Sequence, residues 1–311
     1  MKRNFLDYLW LFFKGMAMGA ADIVPGVSGG TIAFISGIYE ELISTLSQFK
    51  ISLISEFKNK GIKAVWNTVN GNFLLAIFLG IASSILLLSE LVTWLLDEEP
   101  ILIWAFFFGL VLASILYVFK KIERLNAVAL IVLLLGVFIA YQITKLEILN
   151  SSESYPYLFL SGAIAICAMI LPGISGAFIL VIMGVYSTVL QAINDKDFLK
   201  IATFGFGALV GILYFSKILK WLFAKYKDLT LALLTGFMAG AMVKIWPWKK
   251  VLTEHINSKG IPVPLREECV LPYEYEGDPQ LFAALTLMLI GFLLIFIFDF
   301  ISVKTKSLES S

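Results

Sequence analysis

Charged side chains are scarce in this sequence. Asp, Glu, Lys and Arg make up 15% of its 311 residues, whereas soluble domains carry about 25%. Hydrophobic residues make up 59%, and the mean hydropathy is +0.88. The formal net charge of +1 gives no indication of nucleic-acid binding. The composition therefore predicts an integral membrane protein.

Histidine and cysteine are also rare. His255 is the single histidine, and the two cysteines lie in different settings, Cys167 in an apolar run and Cys269 in a polar stretch. A disulfide between such positions is not expected, and no Cys/His cluster has the spacing of metal ligands. We therefore predict that the protein has no metal site and no cofactor.

One short pattern occurs twice in the chain. Residues 22–31, Asp-Ile-Val-Pro-Gly-Val-Ser-Gly-Gly-Thr, interrupt one apolar run, and residues 171–177, Leu-Pro-Gly-Ile-Ser-Gly-Ala, interrupt another. Proline lacks the N–H that a helix interior needs and glycine favours non-helical backbone, so a helix should break at each copy. Ser28 and Ser175 are good N-cap residues, which predicts that a new helix begins after each break.

The likeness between the two halves extends beyond the breaks. Gly15, Gly37 and Tyr39 recur 147 residues later, and a second set recurs at an offset of 127 residues. The second set pairs Gly80 with Gly207, Ser89 with Ser216, Trp94 with Trp221, and Gly109 with Gly236. We predict an all-α integral membrane protein with a single membrane domain, residues 1–311. It contains two inverted-topology repeats, 5–143 and 156–300, each a broken or re-entrant helical hairpin followed by three transmembrane helices.

The apolar runs give the expected bounds of these elements. The hairpin arms are 5–21 with 31–49 and 157–171 with 178–193, and an amphipathic interfacial helix is expected within 50–72. The transmembrane helices are expected at 73–96, 101–119, 127–143, 201–223, 229–246 and 281–300. Whether the hairpins are re-entrant or cross the membrane fully is left open.

Loop charge predicts the orientation. Three crossings plus a returning hairpin is an odd count, so the second repeat must be inserted upside down. With the N-terminus inside, the inner loops carry 13 Lys and Arg residues and the outer loops carry 7. This excess predicts that both termini are cytoplasmic. The longest outer loop, 247–280, is expected to be either an ordered extracellular cap or a flexible loop.

Broken helices in corresponding halves indicate a transporter binding site, and their exposed N–H groups suit an anion such as phosphate. The alternative is close helix packing by small residues. Asp22 adjoins the first break, and Lys14 lies two helical turns earlier on the same arm. Glu90 and Lys217 occupy equivalent positions in the two repeats with opposite charge. Lys217 and Lys244 have a second interpretation, in which they extend to the lipid headgroups.

The paired pattern resembles the PopT-type polyprenyl-phosphate translocase family of bacteria. The resemblance rests on Gly-Ala-Ala-Asp-Ile-Val-Pro-Gly-Val-Ser-Gly-Gly-Thr at 19–31 with its echo Leu-Pro-Gly-Ile-Ser-Gly at 171–176, and it extends over nearly the whole chain. It implies a flippase in the bacterial cytoplasmic membrane that returns undecaprenyl phosphate, the lipid carrier of cell-wall biogenesis, from the outer to the inner leaflet. The oligomeric state is left open.

The resemblance and the breaks together give the candidate site. Substrate-binding residues are expected at both breaks, with Lys14 and Lys217 supplying positive charge. Those at the breaks are Pro25, Gly26, Ser28, Gly29, Gly30, Thr31, Pro172, Gly173, Ser175 and Gly176. The second copy differs from the first where Gly30 and Thr31 become Ala177 and Phe178.

Two expectations concern chemistry. Inward movement of an anion opposes an inside-negative potential, so coupling to H⁺ or Na⁺ is expected, with Asp22 as the first carboxylate to take the cation and Glu90 as the reserve. Alternatively, Asp22 only binds loop amides and holds the hairpin closed. An intramembrane phosphatase like the undecaprenyl-diphosphate phosphatases is the alternative function. No histidine follows Ser28 or Ser175, so no base is in place, and we expect no enzyme and no catalytic residue.

Overall fold

The computed structural model describes residues 3–24, 27–50, 52–146, 152, 154–256 and 262–309, so Pro25 and Gly26 lie outside the described residues. The described part contains thirteen α-helices and one antiparallel pair of short strands. This confirms the predicted all-α class.

The helices follow the same order in both halves. The first half contains α1 (Phe5–Ile23), α2 (Gly29–Ile35), α3 (Tyr39–Leu46), α4 (Ser52–Thr68), α5 (Gly71–Glu98), α6 (Pro100–Phe119) and α7 (Ala127–Thr144). The second half contains α8 (Tyr155–Ile170), α9 (Gly176–Ile182), α10 (Tyr186–Asn194), α11 (Phe198–Lys225), α12 (Lys227–Ala241) and α13 (Leu281–Glu309). A 3₁₀ turn (Met242–Ile245), strands β1 (Lys249–Ile256) and β2 (Pro262–Cys269), and a 3₁₀ turn (Pro272–Glu274) separate α12 from α13.

Several helices are long and apolar enough to cross a membrane. Among the described residues these are α5, α6, α7, α11 and α12 with its 3₁₀ extension to Ile245, and the bent pair α9 and α10 could make a sixth span. The protein is therefore a multi-pass membrane protein. The bounds of these five helices lie within a few residues of those expected, because long apolar runs mark them directly in the sequence. Helix α13, expected at 281–300, continues to Glu309, and its apolar part, Leu281–Ile297, is shorter than the five spans.

The second arm of each hairpin differs from the prediction. Each arm was expected as one continuous segment but consists of two short helices, and α9 meets α10 at 105°. Gly37 and Gly184 lie at the two bends with φ of +73° and +68°. Only glycine adopts this backbone without strain, so the matched glycines explain why both arms bend at the same place.

Helix α4 lies within 50–72, where an amphipathic helix was expected. Gly61, at φ +76°, kinks it, and none of its residues is buried. Ile54, Phe57 and Ile62 are more than half exposed. Its position at the membrane interface stays a prediction.

Glycines set the closest helix contacts within each half. A Cβ atom added at Gly15 or Gly80 would lie within 2.4 Å of a backbone carbonyl oxygen of the opposite helix, between α1 and α5. Gly162 and Gly207 make the same approach between α8 and α11. Backbones can come this close only where no side chain intervenes.

The remaining spans pair across the two halves. Helix α6 packs on α13 through Gly109 and Gly291, and α7 packs on α12 through Gly136 and Gly236. In each case the second span of one half contacts the third span of the other. This exchange interlocks the halves in one hydrophobic core, and its symmetry supports the predicted repeat.

Candidate functional site

The two breaks meet each other inside the protein. The Ser28 hydroxyl donates to the backbone oxygens of Met169 (3.0 Å) and Leu171 (3.3 Å) at the end of α8. In return the Gly173 N–H donates to the Thr31 hydroxyl (3.0 Å). Unpaired polar groups are costly away from water, so these bonds hold the tips of the two hairpins together.

Small residues allow this close approach, as the packing alternative expects. A Cβ at Gly30 would lie 2.4 Å from the backbone oxygen of Ile170, and one at Gly173 would lie 2.7 Å from Cα of Met238. Gly173 also has φ +88°, which favours glycine. A Cβ at Gly176 would lie 2.7 Å from the backbone oxygen of Ala165, so this glycine packs α9 against α8.

The predicted helix starts are confirmed at both breaks. Ser28 is the N-cap of α2, and its hydroxyl oxygen accepts from the Gly30 N–H (3.1 Å). Ser175 is the N-cap of α9 and accepts from the Phe178 N–H (3.4 Å). The serine at each break therefore ends one irregular segment and begins the next helix, as its local chemistry predicts.

The Ser28 hydroxyl and the Gly29 and Gly30 N–H groups of the first break are already engaged in this conformation. Asp22 Oδ1 accepts from the Gly29 N–H (2.7 Å), and Ser28 and Thr31 are each only 1% exposed. The carboxylate thus makes the contact that the alternative role of Asp22 requires, closing the hairpin. Phosphate binding by Ser28, Gly29, Gly30 and Thr31 stays a prediction that needs these bonds to open.

The second break instead borders a small pocket. The pocket is lined from three parts of the chain: Gly173, Ile174, Ser175 and Phe178 at the second break, Ala140, Ile143 and Thr144 of α7, and Ala241 with Lys244. Pro172 immediately precedes the lining residues of the second break and is buried. The volume of the pocket is about 20 Å³, near the minimum for one water molecule. An anion the size of phosphate would therefore have to widen it.

Lys244 is the residue that sequence reasoning missed. The sequence left it open between an intramembrane role and extension to the headgroups and did not assign it to a break. It lines the pocket, and its Nζ lies 5.0 Å from the centre of the Phe178 ring. No local signal marks it, because Lys244 and Ser175 come together only when α12 packs beside the second hairpin. The structure thus places a cation at the second break.

The two predicted cations and the reserve carboxylate are not at the breaks. The Lys14 ammonium donates to the backbone oxygen of Ser36 (2.7 Å), beyond the far end of α2. Lys217 is exposed on α11 with its Nζ 5.5 Å from the centre of the Tyr214 ring, which agrees with the headgroup interpretation. Glu90 is exposed on α5. Within the described ranges no group of three or more His, Cys, Asp or Glu could hold a metal ion.

Comparisons with known proteins agree with the resemblance. Residues 18–263 match the family described as undecaprenyl phosphate translocase-like. A Vibrio cholerae protein named polyprenyl-phosphate transporter is 46% identical over 288 residues, covering 91% of this chain and 94% of that protein. A Staphylococcus aureus protein of the same name is 33% identical over 261 residues, covering 78% and 87%. No solved structure matches.

These matches decide between transporter and enzyme. The family is described as translocase-like and both relatives are named as transporters, which agrees with the prediction that the chain is not an enzyme. The family match spans well over half of the sequence and both relatives align along most of it. The chain belongs to the undecaprenyl phosphate translocase-like family.

Proposed function

We propose that this protein carries undecaprenyl phosphate, or a related polyprenyl phosphate, from the outer to the inner leaflet of the bacterial cytoplasmic membrane. Family membership and the names of the two relatives support this substrate class. The single observation that carries the proposal is the pocket where Lys244 lies beside the second break.

The groups around this pocket suit a phosphate headgroup. A phosphate in a site of low dielectric constant needs a cation and hydrogen-bond donors. Lys244 supplies the ammonium group, and among the described hydrogen bonds the Ser175 hydroxyl only accepts, so its hydrogen can be donated to a phosphate oxygen. These two groups come from the 3₁₀ turn after α12 and from the second hairpin, so binding depends on how those elements are packed.

The polyprenyl tail has a route that stays in the lipid. The outward face of α7 is strongly apolar and exposed, with Leu130, Ile131 and Leu134 each about half exposed or more. The pocket touches the end of the same helix at Ile143 and Thr144. A lipid lying along α7 would therefore place its headgroup at the pocket while its tail remains in the bilayer.

The predicted topology assigns the two breaks to opposite sides. With both termini cytoplasmic, Thr144 ends one outward-running span and Lys244 lies at the end of another, so the pocket belongs to the outer half. The first break, closed by Asp22 and Ser28, would open toward the inner side in a second conformation. This arrangement fits uptake from the outer leaflet and release at the inner leaflet.

Lys244→Gln should reduce transport of a polyprenyl phosphate into proteoliposomes. A hydrogen bond to a charged group contributes about 1.5–3 kcal/mol, and about 1.4 kcal/mol corresponds to tenfold in an equilibrium constant. We therefore expect the apparent affinity to fall about tenfold or more. The measurement is the initial uptake rate as a function of lipid concentration.

Lys145→Gln is the matched control for this variant. Lys145 is exposed at the end of α7, one residue beyond Thr144, and its Nζ lies 4.4 Å from the centre of the Tyr141 ring rather than in the pocket. The Lys145→Gln substitution removes one positive charge, as Lys244→Gln does, on the same predicted outer side of the membrane. Equal transport by the two variants would mean that the pocket is not the phosphate site.

A further inference from the structure

A small cluster of charges joins the outer strands to the pocket. Lys244 Nζ donates to Glu267 Oε2 (3.3 Å), and Lys249 Nζ lies 3.6 Å from the same oxygen. Lys249 Nζ also donates to the backbone oxygen of Lys244 (2.8 Å). Two ammonium groups therefore share one carboxylate, which leaves one positive charge in excess beside the pocket.

This cluster is largely shielded from solvent. The side chains of Lys249, Glu267 and Lys244 are 9%, 22% and 27% exposed, and Lys249 Nζ lies 4.3 Å from the centre of the Trp104 ring. Burial lowers the pKa of Lys249, and the charge of Glu267 opposes this. Charges interact more strongly here than in bulk water, and a charge left without its partner here would be costly.

The strand pair that carries Glu267 and Lys249 is firmly anchored at its base. Trp246 Nε1 donates to the backbone oxygen of Val270 (2.9 Å), and Trp248 Nε1 donates to that of Pro279 (2.9 Å). Trp248 is itself 2% exposed. Of the two forms expected for 247–280, the described residues at this base take the ordered one. Glu267 is thus held in a defined position beside Lys244.

We infer that Glu267 is an internal anion that occupies Lys244 until the phosphate headgroup of the lipid displaces it. This inference rests on the proposed function. Lys244 faces both the pocket and the carboxylate, so phosphate and Glu267 compete for one ammonium group.

Lys249 makes this exchange feasible. When Lys244 turns to the phosphate, Glu267 remains beside Lys249, so no carboxylate is left buried without a partner. A phosphate group carries about 1.5 to 2 negative charges near neutral pH, more than the single charge of Glu267. The exchange therefore favours a phosphate headgroup and gives an uncharged lipid no means to displace Glu267, which makes Glu267 a specificity-determining residue.

Glu267→Gln tests the competition directly. In the full-length purified protein, calorimetric titration with farnesyl phosphate should show binding at least about fivefold tighter than in the parent. Glu276→Gln is the matched control, because Glu276 pairs with Lys250 at an exposed position of the same region and does not contact Lys244. It should bind with the parent affinity, and farnesol, which lacks the phosphate, should bind with equal affinity to all three proteins.

A double-mutant cycle separates exchange from a general effect of charge. Lys249→Gln should weaken binding of farnesyl phosphate, because displaced Glu267 then has no second partner. In the Glu267→Gln background the same change should have little effect, whereas simple charge effects would add. Parent-like affinity in Glu267→Gln, or additive effects in the cycle, would overturn the inference.

Lys249→Gln alone provides the test if Glu267→Gln does not fold, because unchanged binding of farnesyl phosphate by Lys249→Gln would also overturn the inference. A parent protein that does not bind farnesyl phosphate would overturn the proposed function as well.

Discussion

Gly30→Ala should abolish most transport and lower the melting temperature. A Cβ at this position would lie 2.4 Å from the backbone oxygen of Ile170 and 3.0 Å from that of Met169. These are backbone atoms of the opposite hairpin, so the two tips must separate and the bonds made by Ser28 and Thr31 must lengthen. Overpacking costs about 1–3 kcal/mol, and each bond lost costs about 0.5–1.5 kcal/mol. About 1.4 kcal/mol corresponds to a tenfold change in an equilibrium constant. We therefore expect the uptake rate to fall about tenfold or more.

The control for this substitution is Gly205→Ala. Gly205 lies in α11 with no atom within 4 Å of an added Cβ, so alanine there should be neutral or slightly stabilising. Alanine has a higher helix propensity than glycine at both positions. A loss of stability that occurs only at Gly30 would therefore come from the contact with the backbone of Ile170. Parent-like melting and uptake of Gly30→Ala would show that contact between the hairpin tips is not required.

Asp22→Asn should uncouple transport from the ion gradient. Moving one charge against the membrane potential costs about 2.3 kcal/mol per 100 mV, so an inward-moving phosphate benefits from a cation that moves with it. We propose that Asp22 takes this cation, H⁺ or Na⁺, since it adjoins the broken backbone of the first hairpin. Asparagine keeps an oxygen that can accept from the Gly29 N–H but carries no charge. The variant should fold and bind farnesyl phosphate, while uptake driven by a pH or Na⁺ gradient should fall to the rate without a gradient.

Two further variants separate this role from a structural one. Glu90→Gln removes the reserve carboxylate, which is exposed on α5, and should respond to both gradients as the parent does. Asp22→Ala also removes the bond to Gly29 and should lower the melting temperature more than Asp22→Asn. A gradient response in Asp22→Asn equal to that of the parent would leave Asp22 with its structural role alone.

Features that depend on residues close together in the chain could be predicted from the sequence. Apolar runs gave the spans, and Ser28 and Ser175 gave the helix starts, because both effects act within a few residues. The bends at Gly37 and Gly184 were foreseeable in principle from paired glycines, but nothing in one sequence states the sign of φ. The β1–β2 pair was not foreseen, since its strands mix apolar and charged residues and β2 contains Pro262 and Pro264, which are unusual within a strand.

Tertiary packing decided the composition of the site. Residues far apart in the chain meet there, and no local pattern encodes which helices will be neighbours. Lys14 contacts the Ser36 carbonyl and Lys217 faces outward, whereas Lys244 reaches the second break because Met238 of α12 packs against Gly173 of that break. The sequence by itself therefore determined where the membrane helices break, and only the packing of α12 beside the second hairpin determined which charge lies at the break.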